Sequence, residues 1–106
     1  MQVKGTHSFW LLFDTMVKMY YVYILKSQKF EKHKLYIGST PDLRRRFKEH
    51  NSGQSEYTKY GIPWKLVYYE AFDVKHDALV REKHLKTGTG AIGFLKRRIK
   101  QSLDSN

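Results

Sequence analysis

The chain has no cysteine among its 106 residues. That absence removes disulfides, thiolate nucleophiles and every zinc site built on Cys, and it leaves a reducing, cytoplasmic setting as the expectation. Long apolar runs are missing too. The longest near the start, Phe9-Trp10-Leu11-Leu12-Phe13, is closed by Asp14, far short of the ~20 residues that a membrane-spanning helix needs. Only Lys4 precedes this run and no small-residue cleavage pattern follows it, so it makes a poor signal sequence and no membrane partner is expected. Residues 1–18 read as a leader, disordered or an over-extended start, because Met16 and Met19 stand just before regular patterning begins.

Acidic residues are the third shortage: 10 Asp and Glu face 20 Lys and Arg, a formal charge of +10. A small body with that field attracts polyanions, of which phosphate backbones are the commonest. Solubility, or loose attraction to an acidic surface, accounts for the same charge. The hydrophobic share of 41% takes the chain out of the low-hydrophobicity, high-charge class that stays unfolded, and its length suits one domain. That domain is expected over residues 19–103, with 104–106 as a tail.

Residues 20–25, Tyr-Tyr-Val-Tyr-Ile-Leu, are aromatic and β-branched and read as a strand. After a polar stretch, Leu35-Tyr36-Ile37-Gly38 reads as a second strand stopped at Gly38, and the two pair most simply as an antiparallel hairpin. Thr40 before Pro41 marks a helix start, since the hydroxyl can cap an early amide and proline has none to leave unpaired. This helix runs through Leu43, Phe47 and His50 to Asn51, with Gly53 as its stop, and residues 64–72 make a third strand. Asp73 is placed as the cap of a second helix with Val74, Ala78, Leu79 and Leu85 on one stripe. A last helix over 94–103 turns Phe94, Leu95, Ile99 and Leu103 inward and Lys96, Arg97 and Arg98 outward. The order β-β-α-β-α-α predicts an α+β fold, a small three-stranded, mainly antiparallel sheet covered by helices.

Strand alternation sorts the candidate chemistry. Val22 and Ile24 share one face with Leu35 and Ile37, while Tyr23 and Tyr36 gather on the other beside Gly38, which admits close approach. Two phenols sharing a pocket is one reading; an aromatic half-core with hydroxyls at its edge is the other. Arg46 and His50 are four apart and point to the same side of the first helix. Their neighbours Arg44 and Arg45 read as a solvated basic face that steers nucleic-acid backbone at most. Glu82 interrupts the apolar stripe of the second helix, and an unpaired buried carboxylate there would cost several kcal/mol. A hard divalent cation, an ion pair with an arginine such as Arg46, or an edge position reaching water would each remove that cost.

At these residues the chain resembles the GIY-YIG nuclease superfamily from about residue 20 to 103. The half-motifs stand as Tyr21-Val22-Tyr23 and Tyr36-Ile37-Gly38, followed by Ser39-Thr40, Asp42-Leu43, Arg46, His50-Asn51, Pro63-Trp64 and Ala78 through Arg81-Glu82 to Leu85-Lys86. It is most similar to short stand-alone bacterial members and to the nuclease domains of the excinuclease and of structure-specific endonucleases. Tyr21-Val22 replaces the name-giving Gly-Ile, Ser39 stands where the excinuclease relatives have lysine, and an asparagine after the glutamate in some relatives has no counterpart. The resemblance implies a metal-dependent endonuclease with Tyr23, Tyr36, Arg46, His50 and Glu82 as catalytic residues. Glu82 would hold one divalent ion, Mg²⁺ or Mn²⁺. The implied partner is nucleic acid, DNA in preference to RNA, with DNA repair as a setting. Arg44, Arg45, Lys86, Lys96, Arg97 and Arg98 are the candidate backbone contacts. The alternative from another class is a non-catalytic nucleic-acid-binding module on the same scaffold, with Tyr57 or Tyr60 stacking on bases.

Overall fold

A computed structural model gives the arrangement of the chain, and it describes residues 9, 12, 13, 16–88 and 90–105. Most of the leader expected over 1–18 therefore lies outside the described residues. Three strands, β1 (Tyr20–Ser27), β2 (Leu35–Thr40) and β3 (Trp64–Phe72), form one sheet in the order β2-β1-β3, with both pairings antiparallel. Among the described residues, helix α1 (Leu43–Asn51) follows β2, helices α2 (Lys75–Lys86), α3 (Ala91–Arg98) and α4 (Lys100–Asp104) follow β3, and a short 3-10 turn covers Lys59–Gly61. The α+β class and the element order agree with the reading of the sequence.

β1 is the central strand, so it is covered on both faces, and Val22, Tyr23, Ile24 and Leu25 are all buried. On one face Val22 and Ile24 pack with Ala78 and Leu85 of α2, Leu95, Ile99 and Leu103, and with Leu35 and Ile37 of β2. On the other face Tyr23 and Leu25 pack with Trp64, Tyr36, Ile62 and Leu66, and with Leu43 and Phe47 of α1. The alternation read from the sequence thus places the aliphatic and phenolic sets on opposite sides. β3 departs from strict alternation: its register with β1 slips between Ile24 and Leu25, so that Ile24 faces Tyr68 and Leu25 faces Leu66. Val67 is the extra residue of a bulge, which lets Val67 and Tyr68 both reach the aliphatic core while Leu66 stays with Trp64.

Several local expectations are corrected. β2 does not stop at Gly38 but runs to Thr40, because Ser39 and Thr40 continue the pairing with Val22 and Tyr21. The cap of α1 is Asp42, whose Oδ1 accepts from the Arg45 amide at 3.1 Å; the Thr40 hydroxyl instead holds the Asp42 amide just ahead of the helix. The α2 cap is Val74 with no side-chain bond, not Asp73. Val74 and Leu79 are exposed, so the buried stripe of α2 narrows to Ala78 and Leu85. The last helix is interrupted at Ile99, and Phe94 faces solvent at 70% exposure instead of the core, with the Arg97 guanidinium 4.6 Å from its ring centre. Among the described residues no helix is long and apolar enough to cross a membrane.

Candidate active site

β2 is an edge strand, and the phenolic face of the sheet at that edge holds the candidate site. Tyr23 of β1 lies opposite Gly38 of β2, and Gly38 has to be glycine: an added Cβ would stand 2.5 Å from the Tyr23 hydroxyl and 3.0 Å from the Tyr36 ring. The missing side chain allows the Tyr23 phenol to lie across β2 and the two tyrosine rings to approach with centres 6.2 Å apart.

α1 supplies the other half. Its His50 is 0% exposed and bonds at both ring nitrogens, Nε2 to the Tyr23 hydroxyl at 2.7 Å and Nδ1 to the Thr58 hydroxyl at 2.7 Å. Arg46, one turn earlier, bonds Glu49 at 2.9 Å, and its guanidinium lies close enough to Tyr23 and Tyr36 to act on them electrostatically. A guanidinium can only donate, so Arg46 offers the buried Tyr23 O–H no acceptor, whereas His50 Nε2 at 2.7 Å does. With the Tyr23 O–H given to Nε2, the neutral imidazole carries its proton on Nδ1 and Thr58 Oγ1 accepts. Hydrogen bonds then run in one direction, Tyr23 to His50 to Thr58.

The charges follow from burial. Removal from water, reinforced by the nearby Arg46 cation, lowers the His50 pKa to about 4, so the ring is neutral at working pH. Burial, with Tyr36 beside it, pushes the Tyr23 phenol up to about 12 against the pull of Arg46. Tyr23 is thus a protonated donor. Burial opposes the Arg46 charge, but Glu49 and the two phenols more than restore it, and its pKa is raised.

Glu82 arrives from the opposite side. α2 packs on the aliphatic face, and its Glu82 reaches the edge of β2, where Oε1 accepts from the Ser39 hydroxyl at 2.7 Å and Oε2 pairs with Lys86 at 2.7 Å. Its negative charge reaches Tyr23 as a weak influence, smaller than those of Tyr36 and Arg46. Of the alternatives left open for Glu82, the cation beside it is Lys86, not Arg46, whose carboxylate partner is Glu49. Tyr23, Tyr36, Arg46 and His50 are drawn into one cluster, and Glu82 stands at the other side of the same thin strand.

The remaining basic candidates are exposed. Arg44 faces solvent, Arg45 lies near Asp42 and Glu49, Lys86 sits on Glu82, and Lys96, Arg97 and Arg98 line the outer side of α3. The contacts of three polar residues were not anticipated from the sequence. Thr58 comes from a turn-rich stretch and is buried beneath His50; Ser39 holds Glu82; Asn51 makes paired bonds to the Trp64 amide and carbonyl at 2.6 and 3.0 Å, tying α1 to the start of β3. Ser39 and Asn51 carried a signal, their places in the motif after Gly38 and after His50, and Thr58 carried none. Arg81 is structural: it bonds Glu70 through Nε and Nη2, and Tyr68 donates to the same carboxylate, tying α2 to β3.

A family model described as the GIY-YIG catalytic domain matches residues 19–101. A UPF0213 protein of Staphylococcus saprophyticus is 44% identical over 69 residues, which cover 64% of this chain and 80% of that protein. A UPF0213 protein of Pediococcus pentosaceus is 38% identical over 85 residues, covering 77% and 86%. Among solved structures, the solution NMR structure of a UPF0213 protein from Bacillus halodurans is 28% identical, with 83% of this chain and 99% of that one covered and a TM-score of 0.46. The matched span contains both tyrosines, Arg46, His50 and Glu82, and with relatives covered over most of their own length it shows that this chain belongs to the GIY-YIG family, a family of nuclease type.

Proposed function

We propose that the protein is a metal-dependent endonuclease that hydrolyses nucleic-acid phosphodiesters, with DNA as its substrate. The observation that carries this reading is the gathering of Tyr23, Tyr36 and His50 into one cluster beside the Arg46 guanidinium, with Glu82 at the other side of β2. Hydrolysis of a phosphodiester needs an oriented water and positive charge where the pentacovalent centre gathers negative charge. Arg46 supplies fixed positive charge for a phosphate oxygen. Tyr36, half-buried at the strand edge, is the phenol open to substrate and orients the attacking water. Tyr23 is held by His50, and a phenol near 12 beside an imidazole near 4 makes a fixed hydrogen bond rather than a proton relay at neutral pH. His50 is thereby a positioning residue, shielded from substrate by Tyr23.

The donor set fits a hard divalent ion of the Mg²⁺ or Mn²⁺ kind. Among the described residues there is no cluster of three or more His, Cys, Asp or Glu side chains for a closed metal cage. Mg²⁺ is commonly held by one or two carboxylates together with substrate phosphates, and Glu82 offers one carboxylate that already accepts a cation, Lys86. Glu82 is the residue that would hold the ion, which when bound supplies Lewis-acid charge to the phosphate oxygens. Ser39 keeps the carboxylate turned toward the strand edge.

The test is incubation of the purified protein with branched, single-stranded and duplex DNA, with and without Mg²⁺ or Mn²⁺. Metal-dependent nicking that is lost in Glu82→Ala and Arg46→Ala, with DNA binding still measurable in Glu82→Ala, is the expected result. Cleavage unchanged in Glu82→Ala removes the metal assignment. Tight binding without cleavage in any metal leaves the non-catalytic binding module.

A further inference from the structure

Two loops outside the catalytic cluster join into one exposed face. The β1–β2 connection presents Phe30 at 41% exposure, and the turn before β3 presents Tyr57 at 92% and Tyr60 at 68%. Lysines lie among the rings: Lys34 is 4.9 Å and Lys29 5.8 Å from the Phe30 centre, and Lys59 is 5.2 Å from the Tyr60 centre. Lys29 also donates to the Tyr60 carbonyl at 3.2 Å, which makes the two loops neighbours. With Lys32 the face carries four positive charges in all, at Lys29, Lys32, Lys34 and Lys59, against Glu31 and Glu56, the latter paired with Lys59 at 3.0 Å.

The base beneath this face is held firmly. Ser27 donates to the Gly61 carbonyl, the Gln28 amide to the Pro63 carbonyl at 2.8 Å, and the Trp64 indole to the Thr58 carbonyl at 2.7 Å. Thr58, between the exposed Tyr57 and the half-buried Lys59, is itself buried on His50. The turn is therefore anchored from below while its aromatic rings stand in water, an arrangement that costs apolar hydration and orders a stacking surface in advance of binding. It also stands two hydrogen bonds from Tyr23, through Thr58 and His50.

We propose that this face is a binding site for single-stranded DNA, in which unpaired bases stack on Tyr57, Tyr60 and Phe30 while the interleaved lysines follow the phosphates. Stacking needs an open base face, which a single strand offers and a duplex keeps against its neighbouring base pairs. Resting on the nuclease reading, the site makes an unpaired stretch next to the scissile phosphate the preferred substrate feature.

Binding measured by fluorescence anisotropy, without metal, tests the site independently of cleavage. Labelled oligodeoxythymidylate and a blunt duplex of equal length are titrated with the wild type, with Tyr57→Ala/Tyr60→Ala and with Tyr57→Phe/Tyr60→Phe. Because these side chains are exposed, melting temperatures should stay at the wild-type value. The alanine pair should weaken single-strand binding by about tenfold or more and duplex binding by less than about twofold, and the phenylalanine pair should bind as wild type. Equal single-strand binding by the alanine pair overturns the proposal, as does equal loss on both DNAs. Capture of anionic vesicles, weakened in the alanine pair while oligonucleotide binding is not, overturns it in favour of a lipid surface. Absence of nicking in the wild type counts against the nuclease reading alone.

Discussion

Burial decides what His50 can do. Its folded pKa of about 4 lies below the ordinary 6.5 because desolvation and the Arg46 charge oppose protonation, while Glu49 favours it only weakly. Between 6.5 and about 4 the unfolded chain takes up a proton that the fold refuses, so stability falls as pH falls through this window and the loss is complete below about 4. At 1.36 kcal/mol per unit the total is about 3 kcal/mol. His50→Gln keeps polar atoms but removes the titration, so chemical denaturation followed from pH 7 to 4 should show a shallower decline than the wild type. Identical slopes would mean that His50 does not carry this linkage. His50 and Arg46 were legible as a pair from their helical spacing, whereas Thr58 was not, since nothing local distinguishes a buried threonine in a polar loop from an exposed one.

At the level of elements, the site exists because an edge strand carries a glycine where a neighbouring strand carries a tyrosine. Gly38→Ala places a methyl against the Tyr23 hydroxyl, and that phenol is fixed by His50 and cannot swing aside without breaking a buried bond. Overpacking of this kind costs about 1–3 kcal/mol, and because Tyr23 and Tyr36 are the side chains displaced, the catalytic loss should exceed the stability loss. A thermal melt lowered by several degrees together with nicking reduced by about a hundredfold or more is expected, since misplacement by about an ångström costs that much; wild-type nicking in a well-folded Gly38→Ala protein would show that the close approach is dispensable. Strand identity and facing were readable because alternation with period two is a local property. Caps were less so: Thr40, Asp42 and Asp73 are all competent capping types, and the one used at α1 depends on where the chain leaves β2.

For the whole molecule, the net charge of +10 acts as a field, and α3 presents Lys96, Arg97 and Arg98 outward. If these three meet phosphates, their joint replacement by alanine should weaken duplex DNA binding at low salt and flatten the plot of log affinity against log salt by about 0.9 for each lost contact. An unchanged slope would assign α3 no part in backbone contact. Arg45 and Lys86 already face carboxylates and should contribute less than their charge alone implies.

The sequence by itself determined the class of fold, the facing of β1 and β2 and the gathering of two phenols beside a glycine, because each follows from short-range periodicity or from motif residues in order. It also made Glu82 conspicuous as a charge on an apolar stripe. Lys86 and Glu49 are helical neighbours of Glu82 and Arg46, four and three residues away, but only the tertiary structure decided the Ser39 contact of Glu82, the Thr58 support beneath His50 and the outward turn of Phe94. Those depend on how α1 and α2 approach opposite faces of the sheet, a matter of packing between separate elements, which no local pattern encodes.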